Sequence, residues 1–202
     1  MGTSFEVKWS GQKVKAFLPL PGEHNVLDAL AALAVGTLYG VSLQEGCEGL
    51  KRLELSKMRL EVYEGKHGAV LISDVYNANP VSMHASLRVL KERAAGNDTL
   101  AVLGEMYELG EETQAGHRKV GTAAAELGIT ELVTVGKLAE DIAQGALAAG
   151  MAEERIHICS TRAEGIAKAE EALGRLKQPV WVLIKGSRGM KMEEVTAGLR
   201  ES

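Results

Sequence analysis

Residues 69–104 read AVLISDVYNANPVSMHASLRVLKERAAGNDTLAVLG, and their pattern limits the possible folds more than any other segment. They begin with an apolar run typical of a buried strand, continue with a segment long enough for a helix, and end with a second buried run, TLAVLG. Pro80 suits the first turn of that helix, where its missing N–H is not needed. Two buried strands joined by a helix predict a parallel βαβ unit.

The same alternation continues to the end of the chain. Further strands are predicted over ELVTVG, RIHICS and VWVLIKG, and further helices over EETQAGHRKVGTAAAELG, LAEDIAQGALAAG, TRAEGIAKAEEAL and KMEEVTAGLRE. RLEVYEG precedes the first buried run, and we expect it to pair with that run as an antiparallel hairpin across KHG. The sequence therefore predicts an α/β fold of Rossmann-like type, with a mostly parallel, doubly wound sheet and helices on both faces.

The residues before Met58 follow a different pattern. FEVKW and KVKAFLPL predict a β-hairpin with Gly11 in its turn, and Ser42 is a candidate cap for a short helix over LQEGCEGLKRL. Between them, HNVLDALAALAVGTLYG predicts a helix with a buried stripe of Leu27, Leu30, Ala31, Ala34 and Leu38. These elements expose too much apolar surface to form a core alone. We expect residues 1–57 to be the tail of an incomplete domain and residues 58–202 to be a complete one.

Composition and charge exclude several classes of protein. The chain has 202 residues, 46% of them hydrophobic, and a net charge of −4 with no dense block of Lys and Arg, which argues against nucleic-acid binding. Its first residues, MGTSFEVKW, lack the basic-then-apolar pattern of a signal peptide, and no apolar stretch approaches membrane-spanning length. Cys47 and Cys159 lie far apart and predict two buried, reduced thiols. We expect a cytoplasmic monomer.

Three strand ends of the predicted sheet carry unusual polar residues. DVYNAN follows AVLIS, GEMYELG follows TLAVL, and KGSRGMKM follows VWVLI. Parallel sheets bind ligands beyond the carboxyl ends of their strands, so these loops predict a site at one edge.

Four segments of the chain resemble the motifs of one family. DVYNANPVSM, LGEMYELGEET, VLIKGSRGMKMEEV and LPLPGEHNVLDALAALAVG are similar, in order and spacing, to motifs of the Mur ligases. The branch they resemble adds D-alanyl-D-alanine to UDP-N-acetylmuramoyl tripeptide in peptidoglycan synthesis. The resemblance covers essentially the whole chain. It implies an ATP-dependent amide ligase in which the tripeptide carboxylate becomes an acyl phosphate, with Mg²⁺ on the phosphates, before the dipeptide amine attacks.

The resemblance also implies that much of such a ligase lies outside this chain. Its members have a UDP-binding domain, a central ATPase domain with a phosphate loop, and a C-terminal Rossmann-like domain. No GxxxxGK[ST] motif occurs here. We expect the end of the central domain and the whole C-terminal domain, inactive alone, with no metal ligand of its own and with the missing domains, ATP and both substrates as partners.

Seven residues stand at the family's nucleotide-binding positions. The resemblance places His24, Asn25 and Asp28 beside the ATP base, although the family has Asn where this chain has Asp28, and a carboxylate offers no donor. An alternative for Asn25 is a helix cap. Arg59, at the junction of the two regions, is expected to reach the phosphates, or else to form a surface salt bridge.

The remaining nucleotide-binding positions follow the first buried strand of the complete domain. Asp74, Tyr76 and Asn77 are expected to face the ribose and base, whereas Asn79 is expected to cap the following helix.

The last sheet-edge loop is assigned to the substrate. Lys185, Ser187 and Arg188 match the family loop that lies toward the dipeptide and the acyl phosphate, and two cations with a hydroxyl suit a carboxylate or phosphate. The alternative is a turn with solvated cations. Glu105 is a weaker candidate, and His117 is more typical of a structural histidine.

Two other functions remain open from the sequence. One is a portion of a sister ligase, of the folylpolyglutamate or diaminopimelate-adding type, although YNANP and KGSRGM favour the dipeptide-adding branch. The other is a non-catalytic, nucleotide-binding Rossmann-like module, which would not explain the HNVLDALAALAVG segment.

Overall fold

A computed structural model of the chain describes residues 2–53 and 57–201. The chain divides into two compact units, Met1–Leu55 and Ser56–Ser202, each of which is described by itself. That these units belong to two domains of a larger protein stays a prediction.

The first unit is a hairpin with two helices. Strands β1 (Thr3–Trp9) and β2 (Gln12–Leu18) pair antiparallel, and Gly11 adopts a φ of 79° in their turn. Helices α1 (Glu23–Leu38) and α2 (Leu43–Leu50) follow. The predicted cap of α2 is confirmed, because the Ser42 hydroxyl accepts from the Glu45 N–H and the Glu45 carboxylate accepts from the Ser42 N–H.

The predicted buried stripe of α1 is wrong. Leu27 and Leu38 are 62% and 78% exposed, and the buried residues of α1 in the core of this unit are Ala29 and Leu33. Of the predicted stripe, Leu30 is partly buried against that core. The sequence of α1 is apolar on several sides, so periodicity gave no unique buried face. A hairpin and one short helix cover only one of those sides.

The second unit is the predicted α/β domain. Its elements in chain order are β3 (Glu61–Gly65), β4 (Ala69–Asp74), α3 (Pro80–Ala94), β5 (Thr99–Gly104), α4 (Thr113–Glu126), β6 (Glu131–Val135), α5 (Glu140–Ala148), β7 (Ile156–Cys159), α6 (Arg162–Arg175), β8 (Trp181–Lys185) and α7 (Glu193–Leu199). The sheet order is β3-β4-β8-β5-β6-β7. The β3–β4 pair is antiparallel, as predicted, and the other pairs are parallel.

The sheet is covered on both faces, which confirms the predicted doubly wound fold. On one face, Val102 and Val182 belong to a core completed by α6 and α7. On the other face, Leu103 and Leu183 belong to a core completed by α3, α4 and α5. Because successive strand residues enter different cores, the central strands are apolar at nearly every position.

The final strand lies in the middle of the sheet. The chain runs from β5 through β6 to β7 at the edge, and then returns across the other face to insert β8 between β4 and β5. The loops after β4, β8 and β5 are therefore neighbours at the carboxyl edge.

Both cysteines are buried free thiols, as predicted. Burial raises the pKa of the Cys47 and Cys159 thiols, which makes them poor nucleophiles at neutral pH. None of the helices in residues 2–53 and 57–201 combines the length and apolarity needed to cross a bilayer.

Candidate functional site

The three polar loops of the second unit meet at one edge of the sheet, as the sequence predicted. In the sheet register, Lys185 at the end of β8 pairs with Asp74 of β4 on one side and with Leu103 of β5 on the other. Sheets of this kind bind ligands where connections from neighbouring strands leave toward opposite faces. The loop after β8 lies at such a point, since α7 covers one face and α3 and α4 cover the other.

A buried ion pair joins two of these loops. The Lys185 side chain is 2% exposed, and its Nζ donates to Asp74 Oδ2 at 2.5 Å and to the main-chain oxygen of Asn77 at 2.9 Å. Ser86 of α3 donates its hydroxyl to the same Asp74 oxygen at 2.7 Å. The end of β8 thus fixes both the carboxylate and the backbone of the loop after β4.

Two opposing effects act on the Lys185 ammonium. Burial lowers the pKa of Lys185, and the adjoining Asp74 carboxylate opposes that shift. Desolvation of both charges offsets most of their attraction, so the pair adds little net stability. Removing one partner, however, leaves the other charge buried and uncompensated.

The loop after β4 keeps polar groups available on its open side. Both side-chain contacts of Asp74 use Oδ2, and within residues 2–53 and 57–201 no group donates to its Oδ1. Asn77 accepts the Ala78 N–H with its Oδ1 at 2.8 Å, while the side chain itself is exposed. One carboxylate oxygen and one amide nitrogen are therefore open to a ligand.

Arg59 lies against Tyr76. The guanidinium carbon is 4.5 Å from the centroid of the Tyr76 ring, which is 48% exposed. The main-chain oxygen of Met58 accepts the N–H groups of Val75 and Tyr76, which holds the two segments together. Among the described residues Arg59 forms no ion pair, so the alternative of a surface salt bridge is not realised here.

The loop after β8 is tied to the loop after β5. Ser187 donates its N–H to the Glu105 main-chain oxygen at 2.9 Å and accepts the Tyr107 N–H with its hydroxyl at 2.8 Å. Tyr107 donates its own hydroxyl to the sulfur of Met190 at 3.0 Å. Burial, reinforced by the Glu105 carboxylate, raises the pKa of Tyr107, which keeps that hydroxyl protonated as a donor.

The three residues assigned to substrate differ in accessibility. Lys185 and Ser187 are buried and contact protein groups, whereas Arg188 is exposed and pairs with Glu193 at 2.7 Å. Direct contact of all three with a substrate stays a prediction.

Of the two asparagines considered as helix caps, one caps its helix and the other does not. Asn79 caps α3 as predicted, because its side chain accepts the Ser82 N–H at 2.8 Å. The alternative that Asn25 caps α1 is wrong. Gly22 holds the N-cap position, and the Asn25 amide donates to the Pro21 oxygen at 2.7 Å.

The nucleotide residues assigned to α1 belong to the first unit. Asp28 is exposed. The side chain of His24 lies outside the described part of the chain. Contact of His24, Asn25 and Asp28 with the ATP base stays a prediction.

His117 has the structural role that the sequence favoured. It is fully buried in α4, its Nε2 accepts the Met106 N–H at 2.9 Å, and its Nδ1 faces the Thr113 oxygen at 2.6 Å. This arrangement requires the neutral ring with its proton on Nδ1.

We expect His117→Leu to lower the free energy of unfolding by about 2 kcal/mol, because the buried Met106 N–H loses its acceptor. Urea denaturation followed by circular dichroism measures this loss. His84→Leu is the matched control, since His84 is an exposed histidine on α3. Equal stability of the two variants would contradict the structural role.

The sequence did not predict a cavity that lies on the side of the loop after β8 away from Asp74. Its volume is about 580 Å³, and it lies beyond the carboxyl ends of β5, β6 and β7. We call it the β6–β7 cavity; its lining includes Glu105, Val135, Gly136, Lys137, Arg162 and Met190. The one local signal was Gly136, which adopts a φ of 100° directly after β6.

Comparison with known proteins gives consistent results. The model of a family described as "Mur ligase, glutamate ligase domain" matches residues 58–188. A UDP-N-acetylmuramoyl-tripeptide--D-alanyl-D-alanine ligase from Bacillus subtilis is 34% identical over 205 residues, a match that covers 100% of this chain and 43% of the relative. The protein of the same name from Escherichia coli is 36% identical over 201 residues, with coverage of 100% and 42%.

A solved structure agrees with these sequence matches. The crystal structure of MurF from Acinetobacter baumannii superposes with a TM-score of 0.86 at 30% identity, covering 97% of this chain and 41% of that one. The chain thus spans less than half the length of the curated relatives that it matches.

Proposed function

The chain belongs to the Mur ligase family, and on that premise we propose that it is the C-terminal portion of a ligase joining D-alanyl-D-alanine to UDP-N-acetylmuramoyl tripeptide. The family resemblance found in the motifs is confirmed, and the relatives named for this activity match along the whole chain. The parent protein is then a cytoplasmic enzyme, and this chain alone is inactive.

The observation that carries the proposal is the contact between two of the family motifs. YNANP and KGSRGM are separated by more than a hundred residues, yet Lys185 donates to the Asn77 main-chain oxygen and to Asp74, which lies just before YNANP. The sister ligases considered above are less well supported, because these two motifs distinguish the dipeptide-adding branch.

The groups around Asp74 fit a nucleotide. The loop after β4 presents an aromatic ring, an open carboxylate oxygen and an exposed amide, and the segment beside it adds a guanidinium. Tyr76 offers a face for the base, Asp74 and Asn77 accept or donate at the ribose, and Arg59 neutralises phosphate charge. When bound, ATP would supply the phosphoryl group and Mg²⁺ would neutralise the charge of its phosphates, and we assign the metal's ligands to parts of the protein outside this chain.

Two cations of the loop after β8 are assigned different roles. Lys185 acts as a positioning residue, because its ammonium holds Asp74 and the Asn77 backbone. Arg188 is the accessible cation of the loop and is assigned to the negative charge of the reacting carboxylate. Its pairing with Glu193 keeps the guanidinium oriented until a substrate competes for it.

A phosphate-release assay tests the proposal. The 202-residue chain and the longer product of the same gene are each given ATP, Mg²⁺, UDP-N-acetylmuramoyl tripeptide and D-alanyl-D-alanine. Dipeptide-dependent release by the longer protein alone is expected. Absence of release by both proteins would favour a sister ligase or the non-catalytic module.

Arg59→Ala in the longer protein is expected to lower kcat/KM at least about tenfold, since a charge-assisted hydrogen bond contributes about 1.5–3 kcal/mol. The same assay measures it. Arg88→Ala serves as control, because Arg88 is half-exposed on α3 and pairs with Glu92. An unchanged rate in Arg59→Ala would remove Arg59 from the phosphate-binding role.

A further inference from the structure

Tyr107, in the loop after β5, contacts three residues of the loop after β8. Its main-chain N–H donates to the Ser187 hydroxyl at 2.8 Å, and its own hydroxyl donates to the Met190 sulfur at 3.0 Å. Between these two contacts the ring lies against Gly189, where a Cβ would be 2.8 Å from Tyr107 Cε2. The three contacts fall on both sides of Arg188.

The segment that carries Arg188 has little support of its own. Arg188–Met190 form a single 3₁₀ turn, closed where the Met190 N–H donates to the Ser187 oxygen at 2.9 Å. A single turn is not stable in isolation, so its orientation depends on contacts with neighbouring segments. The Ser187 N–H donates to the Glu105 oxygen at 2.9 Å, and Tyr107 adds contacts at the start, middle and end of the turn.

The direction of the Arg188 side chain depends on that turn. The guanidinium is exposed and pairs with Glu193 at 2.7 Å, which fixes its tip, while the flanking residues fix the backbone from which it projects. A displacement of about 1 Å in a group that aligns a substrate can cost a hundredfold in rate. Movement of the turn would therefore be felt at the end of this long side chain.

Tyrosine and glycine are matched across the contact. Any side chain on Gly189 would push the Tyr107 ring away, so the close approach requires glycine. The hydroxyl of Tyr107 remains a donor at neutral pH, because burial and the Glu105 carboxylate raise its pKa. The ring, the hydroxyl and the main-chain N–H of one residue thus act on the same turn.

We propose that Tyr107 is a positioning residue of the ligase reaction, holding residues 187–190 so that Arg188 is directed at the reacting carboxylate. This inference rests on the proposed function. It adds a residue that the sequence did not assign to the site, and Tyr107 acts through Arg188 rather than on the substrate.

Hydrogen exchange of the ¹⁵N-labelled 202-residue chain tests whether Tyr107 holds the turn. Tyr107→Ala keeps the main-chain N–H and removes the ring and the hydroxyl. Exchange of the Ser187 and Met190 amides is expected to become at least about tenfold faster, while the amides of β8 keep their rates. Tyr107→Phe keeps the ring and is expected to give a smaller increase. Unchanged exchange in Tyr107→Ala would overturn the proposal.

Kinetics of the longer protein test the role in the reaction. Tyr107→Ala is expected to raise KM for the tripeptide substrate about tenfold, as for loss of a charge-assisted contact. KM for ATP is expected to stay unchanged, because Lys185 holds the groups around Asp74 separately. A simple loss of folded protein would lower kcat and move neither KM. Tyr107→Phe is expected to restore most of the tripeptide KM.

A double variant decides whether Tyr107 acts through Arg188. Arg188→Ala alone is expected to raise KM for the tripeptide, and Tyr107→Ala added to it should cause no further rise. Independent, multiplying effects of the two substitutions would contradict the proposal.

Gly189→Ala supplies a second route to the same displacement. It is expected to raise KM for the tripeptide in the presence of the Tyr107 ring and to add nothing once Tyr107→Ala has removed that ring. Gly174→Ala is the control, since a Cβ there would meet no atom within 4 Å. A rise caused by Gly189→Ala that persists without the ring would show that the ring contact is not what requires glycine, and would count against the proposal.

The outcomes separate this proposal from the proposed function. If turnover requires the dipeptide but Tyr107→Ala leaves KM for the tripeptide unchanged, the proposed function stands and the positioning role is wrong. If no dipeptide-dependent turnover occurs, the proposed function fails, and the positioning role in that reaction fails with it.

Discussion

Lys185→Ala is expected to lower the free energy of unfolding of the second unit by about 3–5 kcal/mol. The substitution leaves the Asp74 carboxylate buried beside β8, and among the described residues the Ser86 hydroxyl is then its one side-chain donor. It also removes the donor to the Asn77 main-chain oxygen, which holds the loop after β4. Urea denaturation followed by circular dichroism measures the loss, with Lys119→Ala as the control at an exposed lysine.

A double variant distinguishes the unpaired charge from lost packing. Lys185→Met with Asp74→Leu removes both charges, and Ser86 keeps its contact with the Ser82 oxygen at 2.8 Å. We expect this variant to recover most of the stability, because buried ion pairs can be replaced by apolar side chains at little cost. In the longer protein it should still be inactive. If the double variant were as unstable as Lys185→Ala, packing of the lysine chain would explain the effect instead.

Gly121→Ala is expected to destabilise the second unit by about 3 kcal/mol, the upper end for overpacking. Gly121 of α4 contacts the backbone of α5, and a Cβ there would overlap the Ile142 oxygen and the Ala146 nitrogen. Gly145 of α5 makes the reciprocal contact with the Arg118 oxygen. A clash with helix backbone is relieved only by moving the helices apart, which opens the core that they cover.

The matched control is the same substitution elsewhere in a helix. Gly174 of α6 is exposed, and its Cβ would meet no atom within 4 Å. Gly174→Ala is expected to raise stability by up to about 1 kcal/mol through helix propensity alone. Denaturation midpoints should therefore move in opposite directions. A gain for both variants would show that α4 and α5 separate without cost.

The sheet was predictable from the sequence because its strands are buried on both sides. TLAVL and VWVLI are continuous apolar runs, and runs of that kind separated by helices have few alternatives to a covered parallel sheet. The position of β8 was not predictable from local pattern, since pairing with β4 and β5 depends on contacts across the whole unit. Those contacts also decide which polar residues are available to a ligand.

Lys185 illustrates the limit for site residues. Its motif identifies the loop, but the sequence does not reveal that the ammonium is already paired with Asp74, a residue 111 positions earlier. The β6–β7 cavity illustrates the same limit, because residues after three different strands line it and the sequence does not reveal the order of those strands in the sheet.

The insertion of β8 also bears on how the second unit is made. During synthesis β4 and β5 leave the ribosome long before residues 181–185, so their facing edges lack the strand that separates them in the finished sheet. Unpaired edges of apolar strands can pair with strands of other chains. A nascent chain released before β8 would therefore be prone to aggregate, and the segment from β8 onward governs when the unit becomes soluble and folded.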